Sequence, residues 1–306
     1  MASHRWAIIL AAGEGARARS VTRDCAGAPV PKQFWSPGSD GPMIRWALRR
    51  AARLASGRIV TVVAARHRPL WEAAIPAEVL ADVVVQPENR GTGAGVLLPL
   101  LRVLQRDRDA RVAILPADHA VEDEGVLIRT LQRAFDLADR GRSALLLGMT
   151  PDLPDPAYGW IVSGEAHADG SRPVLSFHEK PAPGLARRLY RGGAHWSSFM
   201  LVAKARALLS IYERSAPSLV RSLARVYDRG FSASVNGNSV ASLERVYSNL
   251  PVLDFSRDLL ERAATELRML AVPACGWTDL GTPDRIERWR RRDRDRRFEH
   301  AQVHAA

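Results

Sequence analysis

Residues Trp6–Gly15, WAIILAAGEG, form an apolar run that stops at a glycine loop. A short run of this kind predicts a strand buried on both faces, which feeds its loop to the carboxyl edge of a parallel sheet. The alternation of such runs with amphipathic segments predicts a doubly wound α/β sheet over the first half of the chain. The further runs are IVTVVAA (59–65), DVVVQP (82–87), RVAILPADH (111–119) and SALLLGM (143–149).

The pattern changes after Pro151, where short strand-like segments are joined by turn-rich connections. YGWIVSG, PVLSFHEKP and SSFMLVAKA predict a smaller antiparallel insertion at the open end of the sheet. The overall expectation is a Rossmann-like, mostly parallel mixed sheet. Because no linker or repeat interrupts it, we predict one domain over residues 1–290, with halves at about 1–150 and 151–290. Residues 291–306 are predicted to be a basic tail.

The chain is basic, with 44 Lys and Arg against 33 Asp and Glu and a formal net charge of +11. Such a charge can indicate a nucleic-acid partner. The densest run, RIERWRRRDRDRRFEH (285–300), interleaves acids with arginines and is typical of a solvated terminal helix with i,i+4 pairs. We therefore expect no nucleic-acid partner.

The sequence also predicts where the protein is located in the cell and whether its two cysteines are reduced. No apolar run has the length of a membrane span, and the first residues do not resemble a signal peptide, so we expect a cytoplasmic protein without a membrane partner. Cys25 and Cys275 lie far apart and without metal-ligand spacing, which predicts reduced thiols. The sequence leaves homo-oligomerisation open.

Lysine is rare in this chain, since Lys32, Lys180 and Lys204 are its only lysines. Arginine presents a planar fork, whereas lysine presents a compact charge on a flexible stem. A composition that uses arginine almost everywhere is expected to keep lysine where a point charge is needed. Lys32 and Lys180 are therefore candidate site residues.

The glycine loop is a candidate anion site. Gly13 and Gly15 would let backbone N–H groups approach an anion, and Arg17 adds a fixed positive charge. A Rossmann dinucleotide turn is the alternative, but GEGARARS lacks the third glycine of that fingerprint. Thr22 and the Pro-Lys-Gln run that contains Lys32 strengthen the anion-site interpretation.

Two acids are candidate metal ligands. Asp118 follows the strand RVAILP and could hold Mg²⁺ against a triphosphate, or it could simply cap the next helix. Asp279 lies in the short turn GWTDLGTPD, and a pair of carboxylates meeting at one metal would account for both residues. His119, beside Asp118, is expected to be structural.

Glu179 and Lys180 end the strand-like segment PVLSFHEKP. A glutamate can accept hydrogen bonds from sugar hydroxyls while a lysine neutralises a phosphate on the same small molecule. An exposed ion pair without further function is the alternative. The rarity of lysine favours the functional interpretation.

Five motifs in order resemble the sugar-1-phosphate nucleotidylyltransferase family, in particular its mannose-1-phosphate guanylyltransferase-like branch. They cover nearly the whole chain from Ile8 to Asp284. The resemblance implies the nucleotide-diphospho-sugar transferase fold, with a nucleotide-binding first half and a sugar-binding second half. The motifs are LAAGEGARARSVTRD with PKQF, QPENRGTG, LPADH, YGWI with FHEKP, and GWTDLGT.

The resemblance also implies roles for single residues. Arg17, Lys32 and Asp118 would be catalytic, and Asp118 and Asp279 would hold the cofactor Mg²⁺. The nucleotide would meet Ala11, Ala12, Gly13, Gly15, Gln86, Gly91 and Thr92. The sugar phosphate would meet Gly159, Glu179, Lys180, Ser197 and Asp254.

The reaction implied is transfer of a nucleoside monophosphate from a nucleoside triphosphate to a sugar-1-phosphate, with release of pyrophosphate. GTP and mannose-1-phosphate are the favoured substrates, and the product is a nucleotide sugar. Positioning and charge neutralisation carry such chemistry without a covalent nucleophile. A non-catalytic nucleotide-sugar-binding regulator and a cytidylyltransferase for a non-sugar phosphate remain alternatives.

The sequence departs from the family pattern at HWSSFML. The family typically carries Asn-Ser-Gly after a tryptophan, whereas this chain has Ser197, Ser198 and Phe199. The glycine loop also lacks the Leu and Pro that usually follow the arginine. We therefore expect the choice of sugar to be the feature in which this chain differs from its relatives.

Overall fold

A computed structural model describes residues 4–24, 26–38, 40–228 and 243–304. These residues form one nine-stranded sheet with helices on both faces. Sequence analysis predicted the first eight of these nine strands, with ends that differ by a few residues, and missed the ninth. The strands are β1 (Arg5–Ala11), β2 (Ile59–Ala64), β3 (Val83–Gln86), β4 (Arg111–Pro116), β5 (Leu145–Met149), β6 (Gly159–Ser163), β7 (Arg172–Glu179), β8 (His195–Lys204) and β9 (Arg268–Val272).

The strand order is β3-β2-β1-β4-β8-β5-β9-β7-β6, and β6 also pairs with β8. β1 to β4 run parallel to one another, and β5 runs parallel to β9. The other pairings are antiparallel. The expectation of a mostly parallel sheet therefore holds for the first half of the chain and not for the second.

β8 lies between β4 and β5, although it follows both in the chain. It pairs through Ile114 with Leu201 on one side and through Leu145 with Val202 on the other. The segment Met200–Ala203 is fully buried, so it fits a central position better than an edge. The antiparallel strands thus belong to the main sheet, which corrects the expectation of a separate insertion.

Helices cover both faces of the sheet. α3, α6 and α7 pack on one face, and α1, α2, α4 and α5 pack on the other. Their bounds are α1 (Met43–Ala55), α2 (Arg68–Ala74), α3 (Gly91–Arg106), α4 (Glu124–Arg140), α5 (Pro183–Arg191), α6 (Ala205–Ser215), α7 (Pro217–Asp228) and α8 (Pro283–His304).

α8 is only partly the solvated helix that the arginine-rich run predicts. Arg285, Ile286 and Trp289 in its first two turns are buried. Ile286 and Trp289 belong to a small apolar cluster at the carboxyl edge of the sheet, together with Val30 and Trp35. The start of α8 therefore packs against residues on either side of Lys32. The predicted boundary at residue 290 falls inside α8, and the division into two halves stays a prediction.

Two further observations bear on the expectations about location and thiols. Among the residues that the structure describes, no helix has both the length and the apolar character of a membrane span. Cys275 is a buried free thiol, and burial raises its pKa to about 11, so it stays protonated near neutral pH. Cys25 lies outside the described residues.

Candidate functional site

The glycine loop packs directly on the Pro-Lys-Gln segment. Gly15 has φ of +62°, and a Cβ atom there would lie 3.0 Å from the backbone nitrogen of Lys32 and 3.1 Å from the Cα of Pro31. A side chain at this position would therefore meet backbone as well as adopt an unfavourable conformation. Glycine is required here to bring the loop and Lys32 together.

Gln33 fixes the loop from the other side. Its amide nitrogen donates to the carbonyl oxygens of Ala11, at 3.0 Å, and Gly13, at 2.8 Å. Gln33 is buried, so these hydrogen bonds are shielded from water. Sequence analysis did not assign Gln33 a role, although it is part of the quoted Pro-Lys-Gln run.

Lys32 joins three distant segments of the chain. Its ammonium lies 2.9 Å from Oδ2 of Asp118 and donates to the backbone oxygen of Asp279 at 2.5 Å. Burial opposes ionisation of Asp118, but the Lys32 ammonium outweighs it, so the pKa of Asp118 lies below its ordinary value. We call Lys32, Asp118 and Asp279 the lysine cluster.

Asp279 is held by three donors on one oxygen. Its Oδ1 accepts hydrogen bonds from the Gly281 N–H at 2.8 Å, the Tyr158 hydroxyl at 3.1 Å and the Arg285 guanidinium at 2.7 Å. Burial opposes ionisation, but Arg285 and then Lys32 hold the pKa of Asp279 below its ordinary value. Asp279 is therefore an ionised and oriented carboxylate.

Sequence analysis did not identify Arg285 or Tyr158. Arg285 also pairs with Asp155 and lies 3.9 Å above the centre of the Tyr158 ring. Tyr158 immediately precedes Gly159 in the YGWI motif, which was the available signal. Arg285 gave no signal, because it begins an arginine-rich run.

Asp118 is not the cap of the next helix. That position belongs to Asp123, whose carboxylate accepts from the Val126 N–H at 3.0 Å. Beside Asp118, His119 is buried and accepts a hydrogen bond from the Trp277 indole at 3.2 Å. Burial lowers the pKa of His119 to about 4, so it is neutral near pH 7.

Arg17 follows the glycine loop in a short 3₁₀ turn, and its side chain is exposed. Within the described ranges it makes no ion pair or side-chain hydrogen bond. Ala11 is buried as the last residue of β1, whereas Ala12 and Gly13 are increasingly accessible. The structure therefore presents Arg17 beside the backbone of the loop at the carboxyl edge.

The resemblance implies that Gln86 contacts the nucleotide, but the side chain of Gln86 does not lie at the surface. It is buried at the end of β3, and its amide donates to the hydroxyl of Tyr247 at 3.0 Å. Tyr247 is itself fully buried, and burial raises the pKa of its hydroxyl. In this arrangement Gln86 joins β3 to the segment around Tyr247.

Gly91 and Thr92 begin α3 and hold a later part of the chain. The Gly91 N–H donates to the Asn89 side chain at 3.0 Å, and the Thr92 hydroxyl accepts from the Phe255 N–H at 2.7 Å. Asp254 precedes Phe255, and its carboxylate accepts from two backbone N–H groups of the following π-helical turn. The GTG turn thus positions the segment that carries Asp254.

Gly159, Glu179 and Ser197 are neighbours on three strands. Gly159 pairs with Glu179 across β6 and β7 and with Ser197 across β6 and β8. A Cβ atom on Gly159 would lie 2.7 Å from Oε2 of Glu179 and 3.2 Å from the Ser197 Cβ. The absence of a side chain at Gly159 leaves room for the Glu179 carboxylate.

Glu179 and Lys180 form an ion pair of 2.7 Å. Glu179 is mostly buried, whereas Lys180 is exposed and has φ of +48°. Burial raises the pKa of Glu179, the Lys180 ammonium offsets part of this shift, and the nearby Asp254 charge adds to it. We call Gly159, Glu179, Lys180 and Ser197 the glutamate cluster, and Asp254 lies within electrostatic reach of it.

Phe199 adopts the conformation of a glycine. Its φ is +61°, its N–H donates to the Ser197 hydroxyl at 3.3 Å, and its ring lies 5.6 Å from that of Phe255. The positive φ that a glycine would allow is therefore kept inside β8, while a ring takes up space beside Ser197. This is the structural consequence of the Ser-Ser-Phe departure.

The lysine cluster and the glutamate cluster are linked through adjacent residues. The Tyr158 hydroxyl donates to Asp279. Gly159, the residue after Tyr158, lies against the Glu179 carboxylate. Among the described residues, no group of three or more His, Cys, Asp or Glu side chains could hold a metal.

The fold is that of a doubly wound α/β protein with charged groups at the carboxyl edge, where such proteins bind phosphorylated ligands. The chain belongs to the nucleotidyl transferase family, whose family model matches residues 6–296.

Curated relatives agree with this assignment. The alginate biosynthesis protein AlgA of Pseudomonas aeruginosa is 30% identical over 206 residues, which cover 65% of this chain and 41% of AlgA. A mannose-1-phosphate guanylyltransferase of Salmonella muenchen is 28% identical over 203 residues, or 65% of this chain and 42% of that protein. These matches therefore span less than half of either relative.

Solved structures share the fold. A structure named as the mannose-1-phosphate geranyltransferase of Thermus thermophilus superposes with a TM-score of 0.76 at 23% identity, covering 91% of this chain and 77% of that one. The inositol-1-phosphate CTP transferase of T. maritima gives a TM-score of 0.57 at 16% identity, covering 93% and 92%. At these identities the similarity concerns the fold alone.

Proposed function

We propose that the chain transfers a nucleoside monophosphate from a nucleoside triphosphate to a sugar-1-phosphate and releases pyrophosphate. The observation that carries this proposal is the lysine cluster, in which Lys32 contacts Asp118 and the backbone of Asp279 beside the glycine loop. Membership of the nucleotidyl transferase family supports the reaction type. The product would be a nucleotide sugar.

The nucleotide would bind at the glycine loop. Backbone N–H groups of Gly13 and Gly15 can approach phosphate oxygens, and the exposed Arg17 can neutralise charge on the departing pyrophosphate. Lys32 would move from its contact with Asp118 to the α-phosphate, where negative charge increases during transfer. Positioning and charge neutralisation then supply the rate enhancement, because the attacking phosphate is already ionised.

The sugar-1-phosphate would bind at the glutamate cluster. The Lys180 ammonium is exposed and can pair with the phosphate, and Glu179 can accept hydrogen bonds from sugar hydroxyls. Tyr158 and Gly159 bring this cluster next to Asp279. The sugar phosphate could therefore lie next to the α-phosphate of the nucleotide, so that its oxygen forms the new bond to phosphorus as the bond to pyrophosphate breaks on the opposite side.

The donor set of the lysine cluster fits Mg²⁺. Mg²⁺ bound with phosphates usually takes one or two protein carboxylates, and both Asp118 and Asp279 are held ionised. Oδ1 of Asp279 is engaged by three donors, so Asp279 would bind through its other oxygen. When bound, Mg²⁺ would neutralise phosphate charge and orient the reacting groups.

GTP and mannose-1-phosphate are the favoured substrates in this proposal. Support comes from relatives that are named mannose-1-phosphate guanylyltransferase. Ser197 and Phe199 stand where the family typically has Asn and Gly, so the choice of sugar is the feature to test most widely. We also propose a cytoplasmic location.

The test is a pyrophosphate-release assay with Mg²⁺ and a matrix of five nucleoside triphosphates against several hexose-1-phosphates and phosphocholine. Turnover with at least one pair is expected, and Lys32→Ala should reduce it by roughly a hundredfold or more, while Lys204→Ala at the end of β8 is the matched lysine control. Nucleotide-sugar binding without turnover for any pair would favour a non-catalytic regulator instead. Turnover only with CTP and phosphocholine would favour a cytidylyltransferase.

A further inference from the structure

The glycine loop contains an acid, Glu14, which gathers groups from three loops. Its Oε1 pairs with the guanidinium of Arg66, and its Oε2 lies 3.7 Å from Arg19. Arg19 also donates to the Glu14 backbone oxygen at 3.2 Å, and the Asn89 amide lies 3.4 Å from Oε1. The Glu14 carboxylate thus contacts residues of the loops that follow β1, β2 and β3.

A carboxylate at this point works against a bound triphosphate. Like charges repel, and the effect is larger at a partly buried edge than in bulk water. Arg19 and Arg66 have the opposite effect, since both would attract phosphate oxygens. The same positive field reaches His67, whose pKa is lowered first by burial and then by Arg66 and Arg19.

We propose that Arg19 and Arg66 are further binding residues for the phosphates of the nucleoside triphosphate, and that Glu14 is an internal anion that occupies them until the nucleotide displaces it. This inference rests on the proposed function, because it takes the glycine loop as the nucleotide site. Glu14 would hold both arginines at the loop and would reduce the affinity for nucleotide in return.

An alternative role for Glu14 predicts the opposite sign. If Glu14 only braces the loop, removing its charge releases Arg19 and Arg66 into solvent, disorders the loop and weakens nucleotide binding. If Glu14 competes with phosphate, removing its charge frees two cations and removes a repulsion, so binding tightens. The direction of the change in Kd therefore separates the two roles.

The experiment is calorimetric binding of GTP, inorganic tripolyphosphate and guanosine to the full chain, without Mg²⁺ or sugar phosphate. Glu14→Gln should lower the Kd of GTP and of tripolyphosphate by roughly fivefold, the size expected of one partly exposed charge pair. The Kd of guanosine should not change, since guanosine carries no phosphate. The matched control is Glu88→Gln, which removes a carboxylate that pairs with Arg90 at 2.8 Å on a neighbouring loop and should leave all three constants unchanged.

A second variant tests the arginines directly. Arg66→Gln should raise the Kd of tripolyphosphate, and Glu14→Gln added to it should give less gain than in the parent chain. Unchanged or weaker GTP binding by Glu14→Gln would overturn this inference and leave the proposed function standing. If neither the parent chain nor Glu14→Gln binds GTP or tripolyphosphate, both proposals fall.

Discussion

Arg285 donates to Oδ1 of Asp279 at 2.7 Å from the first turn of α8. The same guanidinium pairs with Asp155 and lies on the ring of Tyr158, which itself donates to Asp279. Arg285 is buried and is therefore a structural cation between two acids, not part of a solvated helix face. Arg285 therefore couples the position of α8 to the orientation of the Asp279 carboxylate.

Replacing Arg285 should destabilise the protein. Arg285→Ala leaves the partly buried carboxylates of Asp155 and Asp279 without their common partner, at a cost of about 3 kcal/mol in the free energy of unfolding. Arg291→Ala on the same helix is the control, since Arg291 is exposed and forms an i,i+4 pair with Glu287 that is worth about 0.5 kcal/mol or less. Urea denaturation of both variants measures the difference. Equal effects would contradict the buried-bridge interpretation.

The sequence predicted the first half of the fold well for a physical reason. β1, β2 and β4 are buried along most of their length, so their apolar runs stand out against the polar loops. The position of β8 was not predictable, because its pairing with β4 and β5 depends on contacts between distant parts of the chain. α2, a short helix, was also missed.

The candidate site was predictable where a residue type is rare. Lys32 and Lys180 stood out because lysine is scarce, and the structure places Lys32 between the two acids that the motifs singled out. Arg285 and Arg66 could not be recognised among so many arginines. Their roles depend on burial and on partners that the local sequence does not contain.

Lys32 should affect turnover much more than stability. Lys32→Ala removes the ammonium that contacts Asp118 and should reduce kcat/KM by roughly a hundredfold or more, the range for loss of one preorganised charge at the reacting group. Lys204→Ala should keep kcat/KM within about twofold. Steady-state kinetics with the best substrate pair and thermal unfolding of both variants separate catalysis from folding. A similar loss in the two variants would argue against a special role for Lys32.

Lys180 should act on one substrate. Because Lys180 is exposed and would pair with the sugar phosphate, Lys180→Ala should raise the KM for sugar-1-phosphate by roughly tenfold and leave the KM for nucleotide within about twofold. Initial rates at varied concentrations of each substrate give the two values. An equal rise in both KM values would show that Lys180 does not contact the sugar phosphate selectively.

Gly15 should tolerate a side chain less well than another glycine of similar conformation. Gly15 and Gly193 both have positive φ, +62° and +73°, so alanine costs about 1–2 kcal/mol of strain at either position. At Gly15 the added Cβ would also lie 3.0 Å from the backbone nitrogen of Lys32. At Gly193 no such contact lies within 4 Å of the added Cβ. We therefore expect Gly15→Ala, and not Gly193→Ala, to weaken GTP binding. Calorimetry checks binding, and equal affinities would mean that the loop can shift away from Lys32 at little cost.

His119 should make the stability of the protein depend on pH. Burial lowers its pKa to about 4 in the folded state, below the ordinary value of 6.5, so the unfolded chain takes up a proton first as the pH falls. The contribution of neutral His119 is thus fully present above pH 6.5 and is lost progressively between 6.5 and about 4.

His119→Gln tests this contribution, because glutamine can still accept from the Trp277 indole but does not titrate. Between about pH 7 and about pH 5, the parent chain should lose about 2 kcal/mol more of its unfolding free energy than His119→Gln does. His67 and His195 also have lowered pKa values, but they are present in both proteins and cancel in the difference. Replacing the exposed His167 with glutamine should leave the pH profile of the parent unchanged. Parallel profiles for the parent and His119→Gln would contradict this prediction, because they would mean that His119 takes up a proton as readily in the folded chain as in the unfolded chain.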